Sequence, residues 1–472
     1  MTPAQRHQLL QTRRTFLGGS GIGLGAAALS TLWDGAGLQG ASAPLHQILP
    51  RAKRVIFLCM AGGPSHLETF DYKPKLDAMN GQPMPASYTK GMPIAQLQGQ
   101  KLKVQGHLTK FKRHGTSGQL VSDFLPWTAR MADDIAVVRS MVTEQINHDP
   151  AHTFMNTGTA ISGRPSMGSW VLYGLGSATR NLPGFVVMTS RGGRNPQPIA
   201  SRQWSAGFLP GRFQGVEFNA TGDPVHYLSS PPGYTRPRQK DVVDAVAELN
   251  RLRNRSVDNP QIATRIEQLE KAFRMQVSVP DLADMSDEPK HILEMYGVKK
   301  PGDGSYASNC LVARRLLERG VRFVHLYHRG WDHHGGLVKY MNVCCGLTDR
   351  PTWALVQDLK QRGMLEDTLV IWGGEFGRTP MFQGKGGAGR DHHIKGFSMW
   401  MAGGGIRGGV GHGATDDLGY SAVENVVHVR DLHATMLHQL GLDHERLSVK
   451  FQGLDVRLTG VEPAKPVREI LV

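Results

Sequence analysis

Short, continuous apolar runs separated by stretches of helical periodicity organise the chain. Arg54-Val-Ile-Phe-Leu-Cys-Met60 predicts a buried strand of parallel type that ends in Ala61-Gly62-Gly63-Pro64. Further strands are expected at 135–141, 184–188, 321–327, 368–372 and 397–401. Helical spacing is present near 121–131, from 148 to 157, and over 166–177, 308–319, 352–362 and 431–440. Apolar strands alternating with helices predict an α/β fold, a doubly wound and mostly parallel sheet with helices on both faces.

Two stretches interrupt that alternation. Residues 72–118 are polar and rich in Gly, Pro and Lys, which predicts a loop insertion at the surface, and 190–235 also read as loops. From about 240 to 276, Val243, Val246, Leu249 and Leu252, then Ile262, Ile266, Leu269 and Phe273, recur at helical spacing. Two charged amphipathic helices broken near Asn259-Pro260 are expected, as a helical insertion packed on its own domain. A partner-binding coiled coil is the competing reading.

The polar residues with chemistry gather at the ends of the later strands. Gly330-Trp-Asp-His-His-Gly-Gly336 follows the run at 321–327, and Gly389-Arg-Asp-His-His393 lies beyond Thr368–Pro380, which carries Glu375. Strand carboxyl ends are where α/β sites assemble. Neutral imidazole with carboxylate is a ligand set for divalent Zn or Mn, with Ca or Mg as hard-ion alternatives. The expected metal ligands are therefore Asp332, His333, His334, His392 and His393. Two solvated polar loops are the bland alternative, but a glutamate-bearing strand end between them favours a site.

Composition narrows the partners. The formal charge of +14 suits weak steering of an anionic substrate, a small molecule or an acidic polysaccharide. No stretch interleaves aromatics with Lys and Arg, so nucleic acid is not expected. No interior run is apolar enough to span a bilayer. Four cysteines without a C-x-x-C spacing predict thiols and no thiolate zinc site. The Gly62-Gly63-Pro64 turn lacks the Gly-x-Gly-x-x-Gly spacing and the Walker lysine, Gly403–Gly409 reads as a tightly packed loop, and no Gly-x-Ser-x-Gly elbow precedes a helix, which argues against nucleotide binding and a serine triad. At the amino end, Thr12-Arg13-Arg14-Thr15-Phe16-Leu17 precedes a Gly/Ala/Leu run and Ala41-Ser42-Ala43. That arrangement resembles a twin-arginine export signal over 1–43, and implies a periplasmic or secreted protein.

Glu375-Phe-Gly-Arg-Thr-Pro380, Gly389-Arg-Asp-His392, Gly330-Trp-Asp-His-His334, Ala313-Arg-Arg-Leu-Leu-Glu-Arg-Gly320 and the run Arg265–Gln276 together resemble the bacterial family of unknown function numbered 1501. That family is placed in the alkaline-phosphatase/sulfatase superfamily. The resemblance implies one alkaline-phosphatase-like domain over 44–472 and hydrolysis of phosphate or sulfate esters. In the superfamily pattern, Asp332, His334 or His333, and His392 or His393 match the first metal's ligands. The second metal's anchors are altered, with Ala61 and Glu375-Phe376 standing where carboxylate and Asp-His are expected. His148 falls at the nucleophile position, and no Cys or Ser begins a sulfatase signature.

Three accounts of His148 stay open: a ligand of a rearranged, mononuclear centre, a nucleophile, or a relic in a fold that only binds an anionic glycan or a protein. The first is favoured. Glu375 could ligate, serve as general base or orient a histidine. Arg378 or Arg390 would offer charge to an anionic ester, with a structural Arg378–Glu375 pair as the alternative. His66, Glu68 and Asp71 are weaker replacements for the lost ligand. His412 and His433 read as loop and helix residues.

Overall fold

The computed structural model describes residues 48–472 except 194–196, 220, 222–223, 225–234, 258–259 and 385–386. The twin-arginine stretch and its cleavage site lie outside the described residues. In chain order the elements that matter are β1 (Arg54–Ala61), β2 (Ile135–Val142), α1 (His148–Thr157), α2 (Met167–Leu175), β3 (Phe185–Ser190) and β4 (Val216–Phe218). Then come α3 (Arg236–Val257), α4 (Pro260–Ala283), α5 (Tyr306–Glu318), β5 (Phe323–Arg329), α6 (Leu337–Gln361) and β6 (Thr368–Gly373). The chain closes with β7 (Gly377–Arg378), β8 (His392–His393), β9 (Phe397–Ala402), β10 (Gly411–His412), β11 (Val427–His428) and α7 (Val429–Gln439).

Among the described residues one large sheet runs β10-β2-β9-β6-β1-β5-β3-β4, with β11 also on β2. Pairing is parallel throughout except at β9, which is antiparallel to both β6 and β2. Two antiparallel steps cancel, so β2, β6, β1 and β5 all point the same way. Their carboxyl ends share one edge, where residues 62–63, 330–334 and 374–375 follow β1, β5 and β6. β1 is buried along its length because both faces are covered. Val55, Phe57 and Cys59 face Trp170 of α2 and Met436 of α7, while Ile56, Leu58 and Met60 are buried on the other side. Helix α5 packs beside β5. The fold is a mostly parallel, doubly wound α/β sheet.

Some expectations change. No α-helix forms over 121–131: residues Gln119–Ser122 are a strand paired with Phe111–His114, and only Thr128–Met131 coil, as a short 3₁₀ turn. Helix α6 begins at Leu337, well before the expected 352, and carries Pro351 within it. Residues 72–118 bury Leu76, Met84, Leu97 and Val104 with Met381 and Tyr420, so the segment packs onto the loops around β7 and β8 rather than standing off. Helix α3, and α4 as far as Gln276, belong to a compact unit separate from the sheet. There Arg251 pairs with Glu270 at 3.0 Å, Val243 and Ile266 are buried, and Val246, Leu249 and Leu252 are exposed. Among the described residues no helix is long and apolar enough to cross a membrane.

One buried ion pair ties the turn after β1 to the later strand-end loops. Arg390 donates Nη2 to Glu68 Oε1 at 2.6 Å and Nε to Oε2 at 2.9 Å, and both side chains are fully buried. Burial alone would raise the Glu68 pKa, but the Arg390 charge and its hydrogen bonds hold it below the usual carboxylate value. A lowered folded pKa means stability present above the unfolded value of about 4.3 and lost as pH falls through the folded one. Glu68→Gln leaves a buried guanidinium uncompensated. Urea unfolding at neutral pH is expected to show a loss of about 3–5 kcal/mol, and the variant's stability should fall less steeply with acid than the wild type's.

Candidate metal centre

The first strand turns at Gly62-Gly63, and this turn organises the site. Gly62 has φ +123, and a Cβ there would stand 2.5 Å from the Asp332 nitrogen, so only glycine lets the turn meet the next loop. Its amide and that of Gly63 donate to the Glu375 carboxylate at 3.0 and 3.2 Å. Arg378 donates Nε to the Gly63 carbonyl at 2.9 Å and Nη2 to the Gly62 carbonyl. The same Nη2 reaches Asp332 Oδ1 at 2.7 Å. Trp331, fully buried, donates its indole N–H to His328 Nδ1 at 3.1 Å and fixes the loop that presents Asp332.

Three imidazoles converge on that carboxylate. His334 Nε2 lies 2.9 Å and His392 Nε2 3.1 Å from Asp332 Oδ1, and His148 Nε2 lies 3.3 Å from Oδ2. Each ring spends its other nitrogen on an oxygen: His148 Nδ1 on Glu375 Oε1 at 2.7 Å, His334 Nδ1 on Gln383 Oε1 at 2.6 Å, His392 Nδ1 on the Ile146 carbonyl at 2.8 Å. A carbonyl or carboxylate only accepts, so each ring faces acceptors at both nitrogens, with Nδ1 turned outward and Nε2 inward onto Asp332. Phe376 packs against the rings of His148 and His392 at 5.0 and 4.6 Å and walls one side.

The electrostatics set buried carboxylates against partly desolvated imidazoles. Burial, opposed by Asp332, takes His392 down to about 4, so at neutral pH one of its ring nitrogens presents a lone pair to an oxygen. For His148 burial works downward too, but hydrogen bonds to Asp332 and Glu375 prevail and raise it to about 9. Asp332 and Glu375 are both held low against the effect of burial, Asp332 by hydrogen bonds from His148, His334 and His392, Glu375, at about 2, chiefly by His152 and His148. For a tetrahedral ion with ligands near 2.05 Å, adjacent ligand atoms are about 3.3 Å apart. The 2.9–3.3 Å spacings from the three Nε2 atoms to Asp332 match that edge. Of these, Asp332, His148 and His392 bring ligand atoms mutually within 4.8 Å, a donor set that fits a divalent ion, and His334 Nε2 borders it at 2.9 Å from Asp332.

Other expected residues lie elsewhere. His333 is turned inward, its Nε2 at 2.9 Å from the Gly330 carbonyl, and His393 is bound to the Tyr420 carbonyl through Nε2 at 2.5 Å. Burial carries both to about 3. Arg390 is spent on Glu68, and Arg378 on carbonyls and Asp332 rather than on Glu375, so neither guanidinium is presented to a substrate. His66 bonds the Gly419 carbonyl and Asp71 takes the Thr415 hydroxyl and Lys73, which leaves no replacement ligand at β1. His433 bonds the Met155 carbonyl within the core.

Residues 52–471 match the family described as "Protein of unknown function (DUF1501)". The chain belongs to this family. No match was found among the curated proteins. Solved structures similar to this DUF1501 chain include the PsFucS1 sulfatase from Pseudoalteromonas sp., 13% identical over 89% of this chain and 76% of that one, with a TM-score of 0.35. The lipoteichoic acid synthase LtaP from Listeria monocytogenes is 9% identical over 86% and 76%, TM-score 0.37. The alkaline phosphatase of the Antarctic bacterium TAB5 is 10% identical over 79% and 96%, TM-score 0.31. At these scores the likenesses carry no argument about activity.

Sequence reasoning missed His152 in this DUF1501 chain. It is fully buried on α1 with Nε2 3.4 Å from Glu375 Oε1, and neither ring nitrogen has a hydrogen-bond partner among the described residues. With His148 and Glu375 it forms a second group of ligand atoms mutually within 4.8 Å, beside the group of His148, Asp332 and His392. The signal was present: His148 and His152 are four apart on one helix, hence on one face. Gln96, from the inserted segment, also reaches His334 Nε2 at 3.2 Å, and nothing in its local sequence announces that.

Asp332→Ala removes the hub on which His148, His334, His392 and Arg378 meet. Elemental analysis of the purified variant is expected to show no stoichiometric divalent metal, whereas His333→Ala and His393→Ala should keep it. Metal retained at wild-type level in Asp332→Ala would falsify this ligand set.

Proposed function

We propose that the protein is an exported metal-dependent hydrolase of phosphate or sulfate esters, with a mononuclear centre of Asp332, His148, His334 and His392. The observation that carries the reading is the set of three imidazole Nε2 atoms turned onto one carboxylate, each with its Nδ1 turned outward onto an oxygen. The neutral His392 ring has one proton but faces an oxygen at each nitrogen, and a cation at its Nε2 would meet what that proton cannot. The inner group of His148, His152 and Glu375 suits a supporting role, because Glu375 already accepts from two amides and is fully buried.

A bound Zn or Mn ion would supply Lewis-acid polarisation and charge neutralisation to an anionic ester. The chain's own residues divide the remaining work. Glu375 holds the His148 ring at 2.7 Å and fixes its tautomer, the orienting role among those open to it. Arg378 holds Asp332 and the Gly62-Gly63 turn together. Both nitrogens of His148 face carboxylates, which favours a ligand over a nucleophile. His334, the most exposed of the three rings at 23%, borders the opening through which a substrate would approach. The amino-terminal Arg13-Arg14 stretch supports export, and the net charge of +14 supports an anionic substrate, small or polysaccharide.

Two measurements test this. Metal-loaded protein should turn over an aryl phosphate or an aryl sulfate and lose that turnover on chelation. No turnover of either, with metal present, would leave an anion-binding protein instead. Glu375→Gln keeps the shape but weakens the hold on His148, and is expected to lower metal affinity by about 10–100-fold in a competition titration with a fluorescent chelator. Unchanged affinity would assign Glu375 no part in orienting the ligand.

A further inference from the structure

Arg329 is the last residue of β5, three positions before Asp332. Strand side chains alternate between faces, so Arg329 shares its face with Tyr327 and His325. Helix α1 lies against that face: Asn156 Nδ2 donates to the Tyr327 hydroxyl at 3.2 Å, and the His152 ring stands edge-on to Tyr327 at 6.2 Å. Two residues along a strand advance about 6.7 Å, a little over one helical turn of about 5.4 Å. Arg329 therefore comes level with the His148–His152 turn, and its charge is felt by the His152 ring.

This guanidinium has been left unpaired. Among the described residues Arg329 makes no hydrogen bond or ion pair, and its Nε is buried without an acceptor. The neighbouring arginines are all spent, Arg378 on Asp332, Arg390 on Glu68 and Arg202 on Asp149. Arg329 is only half-buried, so it keeps a route to solvent. A partly desolvated cation without a counterion costs stability. Its place beside a metal centre gives that cost a use if the counterion arrives with the ligand.

We propose that Arg329 is the anion-recognition residue of this site, taking two oxygens of a tetrahedral oxyanion, a phosphate or sulfate ester, through the parallel N–H groups of its guanidinium. The inference rests on the metal-centre reading and names what gives that centre an anionic substrate. The planar fork sets the preference: a tetrahedral oxyanion offers two oxygens at matching spacing, which a neutral ester does not.

The test is calorimetric titration of full-length, metal-loaded protein with inorganic phosphate and with inorganic sulfate, alongside elemental analysis of the same samples. Arg329→Gln is expected to weaken the tighter-bound anion about 10–100-fold, the cost of a lost charge-assisted hydrogen bond, with metal content unchanged. Arg329→Lys keeps the charge but not the fork and should fall between; it carries the comparison if Arg329→Gln does not fold. Equal affinity in wild type and variants overturns the inference and leaves the metal reading standing. Failure of the wild type to bind either anion overturns it as well. Absence of metal from the wild type overturns the metal reading alone, and the same titrations on metal-free protein then decide the role of Arg329.

Discussion

The backbone of Gly62 and Gly63 is gripped from both sides, and the centre depends on that grip. Its N–H groups go to Glu375 and its carbonyls to Arg378, two residues of one short segment after β6. Arg378 then reaches Asp332, and the Trp331 amide donates to the Ala61 carbonyl at 3.1 Å. Three adjacent strand ends are thereby locked through backbone polar groups that would otherwise be buried and unmet. A side chain at Gly62 would collide with the Asp332 backbone, so the lock admits glycine alone. Close approach of the backbones brings a carboxylate from β6 and another from β5 within reach of one imidazole, His148.

That lock explains how so many buried charges are tolerated. Isolated, Asp332 and Glu375 would each cost several kcal/mol to bury. Here each accepts several charge-assisted or amide hydrogen bonds, and both carboxyls are held ionised against the pull of burial. The ligand rings are fixed at their far nitrogens by Glu375, Gln383 and Ile146, so little side-chain freedom remains to be lost when an ion arrives. Gln383 is held in turn by Gln96, and the Gln96 and Leu97 amides are held by Asp391. The inserted segment 72–118 is therefore part of the scaffold of the centre.

Much of this was legible in the sequence, and the rest was hidden for identifiable reasons. The unbroken apolar runs at 54–60 and 368–372 could only be strands covered on both faces, and the sheet follows from them. The Asp-His-His clusters and Glu375 could be placed at strand ends by their position after those runs. Which histidine of each pair faces inward could not. His392 and His393 form a two-residue strand against Gly377 and Arg378, where neighbours point to opposite faces. One ring must turn to the site and the other to Tyr420, and only the register decides which. The arginines were misassigned for a related reason: a guanidinium has five donors, and whether they meet carbonyls or a substrate depends on loops distant in sequence, such as Glu68 for Arg390. His152 shares a helix face with His148, but the carboxylate it meets there, Glu375, comes from a strand end distant in sequence.

The β1 end of the centre also has a physical reading. There the chain has Ala61 and Gly62, which offer no side-chain ligand, and the buried guanidinium of Arg378 is hydrogen-bonded to the Gly62 carbonyl. Arg378 carries a permanent positive charge 2.7 Å from Asp332. A second divalent ion sharing that carboxylate would face this fixed charge in a poorly screened interior, with one anionic ligand fewer to offset it. In the proposed centre one metal with one arginine would serve the carboxylate that two metals would otherwise have to share. The guanidinium is tethered and cannot dissociate, and its donors are consumed by the fold. It supplies charge and shape to the centre but no open coordination position, so ligand capture would fall to the proposed divalent site and to the unpaired arginine at the end of β5.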